Sequence, residues 1–391
     1  MAKAGKRGNG EGSVYQRGDT GKWVASFTYT DPKTGQRKRS ESTGATRREA
    51  VDKRKARLAR IERDQPIKDA RIALGDYAVN QWAAVTLDVA PVKPTTRDTY
   101  TTLARKHLAA RSIGAIGLDR LASPDVERLL GEMRDEGLSD STVRQVYTVL
   151  HKVLATAERD GLVARNVAAA VGRPQVARKE QRYLTSAEVG DMLSAAKGRR
   201  YARVLEFIAA TGVRRGEALA LRWEDVQMSA DASAGKARIA GTLSRVGKAL
   251  VVTDPKSDRS RRTVALPGVA LQVLAEEKVA QDAERATAGP EWEETGFVFT
   301  TAFGRPVEPR NVLRLMTTAA KAAGLGEGVN VHTLRHSASA ELLSAGIPMV
   351  EVSRILGHSS ITITDSFYGH IHPEGQAEAM EVLGRVRARR S

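Results

Sequence analysis

The spacing of apolar residues changes period near residue 45, and this change limits what the chain can fold into. In residues 12–17 and 22–30, aromatic and β-branched side chains alternate with polar ones, the two-residue period of a strand. Asp31-Pro-Lys-Thr-Gly35 has the composition of a turn, and residues 36–42 continue as a third, basic strand. Thr46, with Glu49 three residues on, then opens a helix as a capping box. Beyond it the period is helical. Val143, Val146, Val149, Leu150, Val153 and Leu154 fall on one face of a helix opened by Ser139-Asp-Ser-Thr142. The expected fold class is mainly α with small β-sheets. It comprises an N-terminal three-stranded sheet plus helix, a helical domain, and a mixed α/β C-terminal domain.

A length of 391 residues makes two or three domains at about 150 residues each. The first is read as residues 1–64 and the second, helical, as 70–171. Within the second, Pro91 and Pro94 break the helical pattern and Pro94 starts a helix toward Leu108. Ser123 is expected to be an N-cap with Pro124 at the first helical position, and Gly137 to end that helix. Residues 172–182 read as a linker that carries Pro174 and the basic Arg173, Arg178, Lys179 and Arg182. The third domain, 183–391, opens with a second capping box, Thr185 and Glu188. It ends in a helix and a basic tail, 376–391.

Charge is unevenly placed along this frame. The formal net charge is +16, and residues 1–60 hold sixteen Lys/Arg against six Asp/Glu. So basic a chain is built to meet a polyanion, of which nucleic acid is the commonest, although ribosome-bound and some secreted proteins are basic too. The absence of cysteine excludes disulfide scaffolds and cysteine zinc sites. Residues 1–12 lack the apolar stretch of a signal peptide, and no run approaches the ~18 apolar residues of a membrane span. The expected location is cytoplasmic, with the nucleoid, and no membrane partner is expected.

The third domain holds a scattered set of side chains suited to an anion. Residues 202–210 read as a helix stopped by Thr211-Gly212, and a second helix runs through Leu219, Leu221 and Trp223. Arg214 falls in its first turn, where free N–H groups favour an anion, and Glu217 is placed to brace it. Alone, such an Arg–Glu spacing is more often a surface ion pair. Strands are expected at 237–244, 249–253 and 261–266, with Lys256 on the hairpin between the last two. His332-Thr-Leu-Arg335-His336 begins a helix, and an imidazole and a guanidinium three residues apart suit the non-bridging oxygens of a phosphate. A zinc reading of His332 and His336 is weaker, since Thr333 stands where zinc proteases carry Glu and Arg335 would repel a cation. Residues 346–357 read as a turn and short helix, with His358 just past its glycine. Tyr368 on priors would be a packed aromatic, and His370 and His372 read as solvated residues rather than a metal pair.

Taken together and in this order, Thr211-Gly-Val-Arg-Arg-Gly-Glu-Ala-Leu-Ala-Leu-Arg-Trp223, His332-Thr-Leu-Arg335, Leu356-Gly-His358 and Tyr368 closely resemble the catalytic domain of tyrosine recombinases, the phage-type integrases. The resemblance covers about residues 181–385. The first two segments resemble, more loosely, the arm-type DNA-binding and helical core-binding domains of such enzymes. It implies that Arg214, Arg335, His332, His358 and Lys256 surround a scissile phosphate and that Tyr368 attacks it, with Glu217 in support. No cofactor and no metal are implied. One departure is that Val167, not Pro, follows Asn166 at the end of the second segment.

The activity so implied is site-specific cleavage and rejoining of DNA through a 3′-phosphotyrosine, integrating or excising a phage or mobile element. The alternatives are a resolvase or relaxing topoisomerase of the same class, and a catalytically silent DNA-binding regulator. The implied partners are duplex DNA at core and arm attachment sites, a homotetramer on that DNA, an excisionase and a host DNA-bending protein. Arm contacts would come from Lys22, Arg37, Lys38 and Arg39, clamp contacts from Thr95, Arg97 and Arg144, and linker contacts from Arg178 and Lys179. Trp23 and Phe27 read as core of the small domain rather than as base-stacking residues.

Overall fold

The N-terminal alternation forms an antiparallel sheet in the order β1-β2-β3 in the computed structural model. That structure describes residues 12–18, 20–30, 36–62, 71–177, 182–229, 231, 233–254 and 261–357. The strands are β1 (Val14–Gln16), β2 (Trp23–Thr30) and β3 (Arg37–Gly44), with Thr28 opposite Arg39 and Trp23 opposite Gly44. Val24, Ala25 and Phe27 of β2 are buried, whereas Trp23 is half-buried. Helix α1 (Arg47–Glu62) packs on β2 and β3. Thr46 Oγ1 accepts from the Glu49 N–H at 3.2 Å, but Glu49 reaches back to the N–H of Ala45 rather than that of Thr46. Gly44 has no alternative residue, because a Cβ there would stand 2.7 Å from the Ala50 nitrogen. The predicted turn at 31–35 lies outside the described residues.

The helical segment runs from α2 (Leu74–Asp76), which continues in wider turns over Tyr77–Thr86, through α3 (Pro94–Leu103), α4 (Ser123–Asp135) and α5 (Asp140–Arg159). Its core includes Leu74, Tyr77, Trp82, Leu108, Leu129, Met133 and the predicted face of α5, every member of which is buried. Ser139 caps α5 as expected, accepting from Thr142 N–H. Ser123, by contrast, is the first residue of α4 and not its cap. Ala122 takes that position, and the Asp125 carboxylate accepts its N–H at 3.0 Å, so the acidic side chain closes the helix end in place of the serine. Asn166 needs no proline after it. Its amide accepts from Ala168 N–H and donates to His151 O, closing the turn at 167–170.

The chain divides into two compact units, Met1–Ala177 and Arg178–Ser391, and the division falls within the 172–182 segment. The separation expected near residues 64–70 falls outside the described residues.

The second unit packs α6 (Ser186–Ala196), α7 (Ala202–Thr211), α8 (Arg215–Ala220), α9 (Gly268–Ala288), α10 (Pro309–Ala322), α11 (Val331–Ser344) and α12 (Met349–Leu356) around small sheets. Its core runs from Leu184 through Phe207, Leu219, Leu271, Phe299 and Met316 to Leu334. Thr185 and Glu188 form the expected capping box. The strand expected at 237–244 is instead two. β5 (Gly235–Ile239) pairs with β4 (Val226–Met228) and β8 (Arg262–Ala265), while β6 (Thr242–Val246) pairs with β7 (Ala249–Thr253). The chain changes partners at Ala240-Gly241, where a Cβ on the glycine would stand 2.7 Å from Val252 Cγ1. The helix expected through Trp223 ends at Ala220. Leu221 instead accepts Val298 N–H, and Arg222 bridges Phe297 in extended conformation. Among the described residues, no helix is long and apolar enough to cross a membrane.

Candidate active site

Two glycine stops build the site. Helix α7 ends at Gly212 (φ +65°) and α12 at Gly357 (φ +67°), both in the left-handed region where a side chain is strained. The two stops meet: a Cβ on Gly212 would lie 2.6 Å from Leu356 Cδ2. Arg335, near the start of α11, ties them together. Its Nη1 donates to Gly212 O at 2.8 Å and its Nη2 to Leu356 O at 2.6 Å. Its burial, at 3% exposed, makes those carbonyl partners obligatory. Asn330 caps α11 by accepting the His332 N–H at 2.8 Å, and Ser337 Oγ pins the same helix to Leu184 N–H.

Arg214 stands one residue before α8, with extended backbone (φ −71°, ψ 147°). Glu217 accepts from its N–H at 3.0 Å and from its Nη1 at 2.8 Å, and Arg214 Nη2 donates to Gly357 O at 3.2 Å. The two arginines therefore hold the carbonyls of consecutive residues, 356 and 357. The expected anion site at free helical N–H groups is not what Arg214 offers. The helix is only six residues long and Glu217 already takes the N–H of its cap. The anion-binding capacity lies in the guanidiniums instead.

Glu217 is 4% exposed, and a second arginine shares it: Arg262 Nη2 donates to Glu217 Oε2 at 2.9 Å. Burial alone would raise the Glu217 pKa, but the hydrogen bond and charge of Arg262, together with Arg214, hold it below the usual carboxylate value. Arg262 Nε also donates to Ile355 O at 2.8 Å. In sequence Arg262 is only one of the basic neighbours of Lys256. Nothing local distinguishes it from Arg261, which stands just before β8 while Arg262 opens it. Arg261 is 61% exposed against Asp254, whereas the Arg262 side chain is 8% exposed.

His332 and Arg335 stand three residues apart near the start of α11 but not in one environment, since His332 is exposed while Arg335 is buried. The His332 imidazole is held below its ordinary pKa by desolvation and then by the charges of Arg335, Arg214 and Arg215. His336, with its ring 6.2 Å from that of His332, is pushed down to about 4 by burial, then by His332 and Arg335. No group of three or more potential metal ligands occurs among the described residues. The guanidiniums of Arg214, Arg215, Arg262 and Arg335 outnumber the carboxylates they meet among the described residues, Glu217 and, for Arg215, Glu308, and so make a site for an anion, with an imidazole of lowered pKa at its edge.

Lys256, His358 and Tyr368, and with them His370 and His372, lie outside the described residues. So do Arg178 and Lys179 of the linker. Arg182 is internal to its unit, bonded to Glu188 at 2.9 Å and to the carbonyl of Leu325. In the first unit Lys22, Arg37, Lys38 and Arg39 are exposed, the last three in a row on β3. Arg39 also lies 3.8 Å from Glu41. Thr95, Arg97 and Arg144 are half-buried, and Arg97 pairs with Asp88 at 2.9 Å.

Comparison with known proteins finds relatives of the whole chain. The model of the Phage integrase family matches residues 182–374. The chain is 31% identical over 396 residues to an integrase of Streptomyces ambofaciens, covering 98% of each chain. Its fold is similar to that of the Tn1549 transposon integrase in complex with a circular intermediate DNA (TM-score 0.62, 19% identity, 80% of this chain and 99% of that one). It is also similar to a lambda integrase dimer bound to a COC′ core site (TM-score 0.56, 18% identity, 93% and 96%). With a relative of that identity matched from end to end, and the arginines of its motif gathered on two glycine stops, the chain belongs to the phage integrase family, the tyrosine-type site-specific DNA recombinases.

Proposed function

We propose that this chain is a DNA integrase that cuts and rejoins strands through a 3′-phosphotyrosine on Tyr368, moving a phage or other mobile element into and out of a chromosome. The observation that carries the reading is the meeting of Arg214 and Arg335 at the last two residues before His358. A phosphodiester is an anion, and attack builds further charge on its non-bridging oxygens. Arg214 and Arg335 stabilise that charge, with donors from His332 and His358. Tyr368, whose phenol ordinarily ionises near pH ~10, loses its proton within this positive field. His332 accepts it, since its lowered pKa keeps the ring neutral at neutral pH. The 5′-oxygen leaves as a hydroxyl, protonated by Lys256. The phosphotyrosine ester retains the energy of the broken bond, so the 5′-hydroxyl of another strand can reverse the step without ATP.

DNA binding is shared between the units in this reading. The exposed row Arg37-Lys38-Arg39, with Lys22, takes arm sites, and Thr95, Arg97 and Arg144 line a clamp on the core site. Arg178 and Lys179 cross the duplex between them. Assembly as a tetramer on two core sites follows from strand exchange. The lambda integrase, of similar fold, was solved as a dimer on a core site. An excisionase and a host DNA-bending protein would set direction.

The test is covalent capture. Duplexes that the purified protein selects from a random-sequence pool are nicked at successive positions and incubated with it, then run on a denaturing gel. A slow-migrating protein–DNA adduct is expected, lost in Tyr368→Phe while binding persists. An adduct retained by that variant would overturn the assignment of the nucleophile.

A further inference from the structure

We propose that Arg262 is a positioning residue that balances the charge of Glu217 and so leaves the charge of Arg214 available to the phosphate. The inference rests on the reading of Arg214 as a phosphate-binding group.

Glu217 is nine-tenths or more buried and accepts three N–H donors: the Arg214 backbone, Arg214 Nη1 and Arg262 Nη2. If Arg214 were its only cation, the two would form a neutral, closed pair. An arriving phosphate would then compete with a buried carboxylate for one guanidinium. With Arg262 also on the carboxylate, the triad carries a net positive charge, and that surplus sits on Arg214, which is 33% exposed where Arg262 is 8%. Of the two guanidiniums on Glu217, Arg214 keeps a face to solvent, and Arg262 neutralises the carboxylate beneath it.

Arg262 also sets where the site ends. Its Nε holds Ile355 O, and its guanidinium lies against Gly357, where a Cβ would come within 2.9 Å of Nη1 and 3.0 Å of Cζ. One side chain thus joins β8, which follows the Lys256 hairpin in sequence, to α8 and to the end of α12, which precedes His358. The hairpin, the first arginine and the second histidine of the motif are separated by long stretches of chain, and Arg262 is bonded to α8, which Arg214 caps, and to α12, which ends two residues before His358 in sequence.

The charge role and the bracing role make different predictions. Arg262→Met removes both charge and bonds. Arg262→Lys keeps the charge but cannot serve Glu217 and Ile355 together. Adduct formation is measured at saturating DNA on the selected, nicked duplex, with thermal unfolding of each variant alongside. Arg262→Met should slow adduct formation about 10²-fold. Arg262→Lys should stay within about tenfold of the unmodified protein. Adding Glu217→Gln to Arg262→Met should recover part of the loss, because the uncompensated carboxylate is gone. Arg262→Met reacting at the normal rate would overturn the proposal. So would equal slowing by Met and Lys with matching losses of melting temperature, which marks a merely structural brace. The underlying reading fails separately: if Arg214→Ala forms adduct at the normal rate, Arg214 does not bind the phosphate and the function itself is misassigned.

Discussion

Arg335 and Glu217 show how single side chains are fixed here by opposite requirements. A buried guanidinium must find acceptors, and Arg335 finds them in the carbonyls of the two helix ends it joins. A buried carboxylate must find cations, and Glu217 finds two. His336 has a different constraint, because its half-buried ring resists a proton. Its pKa is near 4 in the folded chain against an ordinary value of 6.5, so the unfolded chain binds a proton that the folded one refuses. The stability it supports is complete above pH 6.5 and declines as pH falls toward 4. The loss is at most about 3 kcal/mol for this shift. His332 has the same sense of shift and adds to the slope. Melting temperatures of the protein and of His336→Asn between about pH 7 and about pH 5 check this. The substitution should flatten the acid decline, and parallel curves would show that the ring protonates freely.

At the scale of elements, glycines decide which turns can be made and how closely helices approach. Gly357 and Gly131 are opposite cases. Gly357 stops α12 at φ +67° with the Arg262 guanidinium against its Cα. Gly131 lies inside α4 with nothing within 4 Å of where a Cβ would be. Gly131→Ala should stabilise the first unit by about 0.5–1 kcal/mol, the helix-propensity difference. Gly357→Ala should destabilise the second by about 1–2 kcal/mol from the left-handed backbone alone, and should displace Arg262 as well. Urea unfolding followed by circular dichroism reads both. A stabilising Gly357→Ala would mean that the stop tolerates a side chain and that Arg262 is not pinned there.

For the whole molecule, the distribution of charge governs the encounter with DNA. Residues 1–60 carry sixteen basic and six acidic residues in a chain of net charge +16. Contacts made by such residues go mostly to phosphates, so affinity falls with salt in proportion to the number of phosphates neutralised, with a slope of about −0.9 per contact. Deleting residues 1–64 should reduce that slope by several contacts and impair recombination between full attachment sites. Adduct formation on a core duplex should be affected much less. Filter binding over a salt series and the covalent-capture assay measure the two effects. Equal loss in both would mean that the N-terminal segment serves the catalytic unit rather than a second DNA site.

The amino-acid sequence by itself determines much of this molecule. Alternation in residues 12–42 and the apolar face of α5 specify sheet and helix, because burial on one face imposes a period on local sequence. Caps at Thr185 and Ser139, and the stops at Gly212 and Gly357, are legible because helix ends are satisfied by nearby residues. The motif residues Arg214, Glu217, His332 and Arg335 are legible as a set. Choices between competing partners are not decided by local sequence. The 237–244 run breaks at Gly241 because two sheets compete for it, and α8 stops at Ala220 because Val298, nearly eighty residues on, takes the carbonyl of Leu221. Arg261 and Arg262 are equivalent as sequence. Only the placement of β8 beside Glu217 and the end of α12 turns one outward to solvent and buries the other, because the cost of burying a charge is set by which opposite charge the fold brings to it.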